Sequence, residues 1–231
     1  MATTTTSPSK PPHTLASLST LLLTTTTLIH APQKPTHPAL ASHISALALH
    51  PTLEATLHIL NADLPSAHFL VRHMQAPPAV EGMLLHGILH RCEGDMRNSR
   101  LWVGDVADIC EGFVPKKREE GERLGEEVMR GIEGRGMEKG FLEHVYGGER
   151  PEGVIDEVEA WRKMKGAGKE EQGRKLEESI RGELERVLEW CRKKFGEGEW
   201  VDATSAWVKN SEEIQKISDD MVSGDKGWRK F

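Results

Sequence analysis

Long apolar runs are missing from this sequence. Nowhere do its 231 residues offer the roughly 20 consecutive hydrophobic positions that cross a bilayer, so no membrane span is expected. Cysteine is scarce. Cys92, Cys110 and Cys191 form no Cys-x-x-Cys pair, which excludes a disulfide scaffold and a zinc ribbon. Strand signals are nearly absent, with no sustained period-two alternation and no Asn-Gly or Asp-Gly turn between β-branched runs. A formal net charge of −6 argues against a nucleic-acid binder that works by bulk positive charge. Complete catalytic signatures are also lacking. There is no Gly-x-Ser-x-Gly elbow. Gly166-Ala-Gly168-Lys169 has Lys163 where a phosphate loop needs glycine and Glu170 where it needs Ser or Thr. Gly134-Arg-Gly136 and Gly196-Glu-Gly198 follow no strand, so neither is a dinucleotide fingerprint.

What is present divides the chain in three. Residues 1–35 are rich in Thr, Ser and Pro, and no acidic residue precedes Glu54. This stretch has none of the arginines of a transit peptide. Its apolar run, Leu15–Ile29, lies too far from Met1 for a secretory signal and leads to no clear cleavage site. The expectation is a disordered leader containing at most one marginal helix. Residues 36–231 then form a single domain, in which 36–114 is a histidine-rich core and 115–231 a charged half. Ten of the eleven histidines lie at or before His90, whereas 52 of the last 117 residues are charged, with both signs mixed. Mixed charge of that density predicts solvated helices. Leu176, Ile180, Leu184, Val187, Leu188, Cys191 and Phe195 recur at steps of three and four, as do Val154, Val158 and Trp161. The fold class is therefore all-α: helical hairpins with additional amphipathic helices. The expected location is the cytoplasm, with the mitochondrion as the alternative.

The centre carries an internal repeat at an offset of 32 residues. Leu57-His58, Asn61-Ala62-Asp63 and Ser66-Ala67 align with Leu89-His90, Glu93-Gly94-Asp95 and Asn98-Ser99. Asp63 and Asp95 are placed to cap new helices, and Gly94 permits the tight turn before the cap. Gly87, Gly94-Asp95 and Ser99 in one unit, and Ala55, Ala62-Asp63 and Ala67 in the other, resemble the small-residue and turn positions of a tetratricopeptide-type repeat. That resemblance covers about 60 residues and implies paired helices presenting a concave face to a protein partner. It departs from the family where His58 and His90 replace large aromatic residues, and in having only two units. Ser66-Ala-His68, with His86-x-x-x-His90-Arg91-x-Glu93-Gly94-Asp95-x-x-Asn98-Ser99-x-x-Trp102, is also similar to a group of fungal and bacterial helical proteins. This second likeness implies a helical fold and supplies no mechanism.

His86, His90 and Glu93 stand at i, i+4 and i+7, on one face of a helix. Two imidazoles and a carboxylate on one stripe suit a divalent metal ion, with His68 reaching the same space from a neighbouring helix. Arg91 and Asp95 flank this set as supporting residues. A His–carboxylate pair can also serve as a general base, and histidines between packed helices can simply be polar core residues. Two functions follow: an interaction or scaffold protein using the hairpins, or a metal- or small-ligand-binding protein, including an enzyme, using the histidines. Trp161, Trp190, Trp200 and Trp207 are expected to pin the charged helices onto the core. The glycine-interrupted stretch Lys116–Glu138 should be only partly helical.

Overall fold

The computed structural model describes residues 13–208 with the exception of 135. Among them the regular structure is helical, with one isolated bridge between Phe113 and Arg123 in place of any sheet. No helix among the described residues is long and apolar enough to cross a membrane. In chain order the helices are α1 (Leu15–Thr25), α2 (Ala41–Ser45), α3 (Pro51–Leu60), α4 (Leu64–Val71), α5 (Val80–Glu93) and α6 (Met96–Cys110). The charged half adds α7 (Glu126–Ile132), α8 (Phe141–Tyr146), α9 (Glu152–Lys163) and α10 (Lys169–Phe195).

The most buried element is α5. Every residue from Val80 to Cys92 is buried, so this helix has no solvent face. A helix apolar on all sides must be wrapped by others. Here α4 and α6 flank it directly, and α3 packs behind. Contact between α5 and α6 is close because Gly87 has no side chain: a Cβ there would stand 3.2 Å from Trp102 and from Val103. Ser99 Oγ donates to the Gly87 carbonyl at 2.8 Å and fixes the same crossing.

The turns of the α3–α4 and α5–α6 pairs are alike. Gly94 has φ +97° and Ala62 has φ +56°, both left-handed, and the next backbone N–H returns 2.9 Å to His90 O or His58 O. One aspartate departs from expectation. Asp95 caps α6 by accepting from Asn98 N, whereas Asp63 makes no such cap and turns its carboxylate to His58 Nδ1, 3.1 Å away. A left-handed alanine carries a Cβ penalty that glycine escapes. Ala62→Gly should therefore leave stability unchanged or raise it by up to about 1 kcal/mol, readable in urea unfolding. A loss above that size would mean the methyl's packing outweighs the backbone strain.

The expected disordered leader is corrected from His13 onward; residues 1–12 lie outside the described part. Leu15, Leu18 and Leu22 form a buried stripe on α1, and Leu28 and Ile29 join the core. The intervening threonines occupy the other face, where Thr24 and Thr25 hydroxyls bond back to carbonyls one turn earlier. Thr14 and Ser17 close the N-terminus as a capping box. Further on, Asn61 exchanges hydrogen bonds with the His37 backbone, and Arg162 donates to Ile29 O at 2.8 Å. Composition suggested disorder because threonines outnumber the three leucines that matter.

The charged half docks through its apolar stripes. Helix α10 buries Leu176, Ile180, Leu184, Val187, Leu188 and Cys191, and α9 buries Ile155, Val158 and Trp161. Stretch 116–138 is partly helical, as its glycines imply, with α7 its one helix. Trp190 is buried and donates to Glu81 Oε1 at 2.7 Å, a carboxylate that also takes Lys194 Nζ at 2.7 Å. By contrast, Trp207 remains 38% exposed and stacks on His73.

His50 is sandwiched against Phe195 and Trp200, with Nδ1 turned to the Thr52 hydroxyl at 2.7 Å. Burial first, and the Lys194 charge second, push its imidazole down to about 3. The unfolded chain takes up this proton near pH 6.5, the folded one only near 3. Stability from this group is thus complete above 6.5 and declines as pH falls toward 3. Between pH 6.5 and 5 the decline should approach about 1 kcal/mol per pH unit. In His50→Gln that part of the slope should vanish from urea-unfolding free energies; equal slopes in both proteins would refute it.

Candidate metal centre

Two neighbouring helices, α4 and α5, bring three imidazoles together. His86 and His90 project from α5 one turn apart, with their rings nearly parallel and centroids 4.9 Å apart. His68 on α4 faces both: its Nε2 lies 3.1 Å from His86 Nε2, and its ring meets that of His90 edge-on. On the far side, Trp102 of α6 stacks on His86 at 4.3 Å, where Gly87 admits it. All three histidines are buried. One nitrogen from each lies within 4.8 Å of the other two.

Glu93 stands on the other edge of this set. Its Oε2 is 3.1 Å from His90 Nδ1 and its Oε1 is 3.7 Å from His68 Nδ1. The carboxylate therefore spans two Nδ1 atoms, favouring the Nδ1–H tautomers and directing the Nε2 lone pairs away from itself. The sequence placed Glu93 among the candidate ligands; its carboxylate stands beside His90 Nδ1 and His68 Nδ1, while the nitrogens that lie within 4.8 Å of one another belong to the three histidines. His68 Nε2 and His86 Nε2 share a hydrogen bond, one as donor and the other as acceptor. Their spacing is also close to the ~3.4 Å between two donors each about 2.1 Å from a tetrahedral ion.

The two supporting residues do other work. Arg91 turns to the opposite side of α5 and forms a bidentate, fully buried pair with Glu183 of α10, with Nη1 to Oε1 at 3.0 Å and Nη2 to Oε2 closer still. Tyr146 of α8 donates to the same carboxylate at 2.6 Å. Beside this carboxylate, burial raises the Tyr146 hydroxyl well above its ordinary range. Asp95 is exposed and occupied as the cap of α6, where it also accepts from Asn98 Nδ2 at 2.6 Å. Neither reaches the imidazole trio.

His58, the repeat equivalent of His90, has carboxylates on both nitrogens: Asp63 at Nδ1, and Glu54 at Nε2, 3.7 Å away. Both its nitrogens face protein acceptors, so this histidine is structural. Cys92, although it follows Arg91 on α5, lies outside the cluster of donor atoms formed by the three histidines, and burial pushes its thiol up to about 11. Sequence reasoning did not place Trp102 on the His86 ring; the small Gly87 facing it was the available signal.

Comparison with protein-family models, with curated proteins and with solved structures finds no match to this chain.

Proposed function

We propose that this protein binds a divalent transition metal through His68, His86 and His90, with Glu93 as the outer carboxylate. The observation that carries the reading is the buried trio itself: three imidazoles from two helices, with donor atoms within 4.8 Å of one another. Imidazole-only donor sets favour zinc, copper, nickel or cobalt over magnesium and calcium, which prefer oxygen. Three protein donors leave a fourth position for water or a small ligand, as in catalytic zinc sites. The free thiols, Cys92 and Cys191 buried and Cys110 half-buried, suit a reducing compartment such as the cytoplasm. Metal analysis of protein purified without chelator should return about one zinc per chain by this reading. The His86→Ala and His90→Ala variants should lose it. A metal-free protein that also fails to take up added zinc would refute the proposal.

A second reading, a tetratricopeptide-like interaction scaffold, is favoured by one observation. The two helix pairs share a left-handed residue, at Ala62 and Gly94, and the same return hydrogen bond to a histidine carbonyl. Buried Ala67 and Ser99 occupy matching positions beyond each turn. The readings are compatible, because the ion would join α4 of one pair to α5 of the other.

A further inference from the structure

A second feature lies away from the imidazoles. Between α6, α7, α8 and the start of α9 runs an open cavity of about 840 Å³. Its apolar lining includes Met129, Met137, Leu142 and the buried Trp190. Methionine is the side chain most able to remould itself around a partner's apolar groups. The rim is acidic, with six glutamates against Lys139 and Arg150. Three of the six are answered locally: Glu111 by Arg118, Glu143 by Lys139 at 3.6 Å and Glu152 by Arg150 at 4.0 Å. Among the described residues no ion pair reaches Glu133, Glu138 or Glu149, and all three are exposed.

We infer that this groove docks a basic amphipathic helical segment of a partner protein, its apolar face on the methionine lining and its Lys or Arg side chains against Glu133, Glu138 and Glu149. Charge complementarity selects this occupant. The carboxylates are distributed around the rim of an apolar trough and do not converge on one point. That suits cations spaced along a helix better than a single compact cation. An acidic or neutral helix would meet three carboxylates that no ion pair among the described residues reaches. Recognition of this kind places apolar anchors at the helical period, with charge fixing orientation and speeding encounter.

The test uses the full chain and a fluorescently labelled leucine–lysine peptide patterned at the helical period, with binding read by anisotropy. Saturable binding that weakens with salt is expected. E133K/E138K/E149K should weaken it about tenfold or more, since three rim attractions become repulsions. E170K/E171K/E178K, reversing three exposed charges on α10 outside the groove, should change it less than about twofold. Met129→Ser with Met137→Ser should also weaken it, and circular dichroism should show unchanged helicity in every variant. Equal losses in the two triple variants would mean attraction to bulk charge and would overturn the proposal. So would equal binding of a scrambled peptide of the same composition.

Discussion

Zinc at a hundred times its dissociation constant should stabilise the protein by about 2.7 kcal/mol if the imidazole trio holds the ion in the folded chain and not in the unfolded one. For a chain of this size that corresponds to a rise in melting temperature of roughly 5–10 °C. His68→Ala should abolish the zinc-dependent shift while leaving α5 and both its histidines in place. Glu93→Gln should weaken binding about 10–100-fold without abolishing it, since the carboxylate orients donors and does not itself coordinate. Differential scanning fluorimetry with and without zinc, and with magnesium as a control, reads all of these. A zinc shift that survives in His68→Ala would show the ion to be bound elsewhere.

The second large effect concerns Arg91 and Glu183. Both are buried and each neutralises the other, so removing either leaves an uncompensated charge in the core. Arg91→Met or Glu183→Leu alone should cost about 3–5 kcal/mol in urea unfolding. Replacing the whole set, R91M/E183L with Tyr146→Phe, should recover most of that loss, because three desolvated polar groups then become apolar together. Double-mutant analysis would give a large coupling energy. Additive losses would mean that each residue is held by partners other than its counterpart. Zinc binding by folded Arg91→Met should match the parent, because the guanidinium lies across α5 from the imidazoles.

Particular residues show how much of this was legible in the sequence. The α10 stripe from Leu176 to Cys191 was readable because regular spacing survives among charges. The His86–His90 pair was readable for the same reason, and His68 was placed from the repeat register. What spacing could not provide was direction around α5. Helical periodicity identifies a face only when another face is polar, and α5 is buried throughout. Arg91 was thus assigned to the wrong neighbour. Its partner Glu183 is 92 residues away, yet one clue existed: Glu183 sits between Ile180 and Val187, on the apolar side of α10. An acid in that position requires a buried base. Asp95 and Asp63 hold equivalent repeat positions but have different outcomes: His58 Nδ1 takes Asp63, whereas the equivalent His90 Nδ1 is taken by Glu93 and Asp95 is left to cap α6. Helix α1 was legible only as a marginal helix in a disordered leader, because its threonine-rich composition hides three buried leucines that dock it.

The enclosure of α5 bears on how this protein can change over evolutionary time. A helix with one wet side accepts drift at roughly every second or third position. Thirteen consecutive residues with no wet side accept almost none, whatever their chemistry. Variation among relatives of this chain should therefore collect on α7, α9 and the outer surface of α10. The stretch from Val80 to Cys92 would persist as an unbroken block, retained for the room each side chain occupies even where the histidines' own task has been lost.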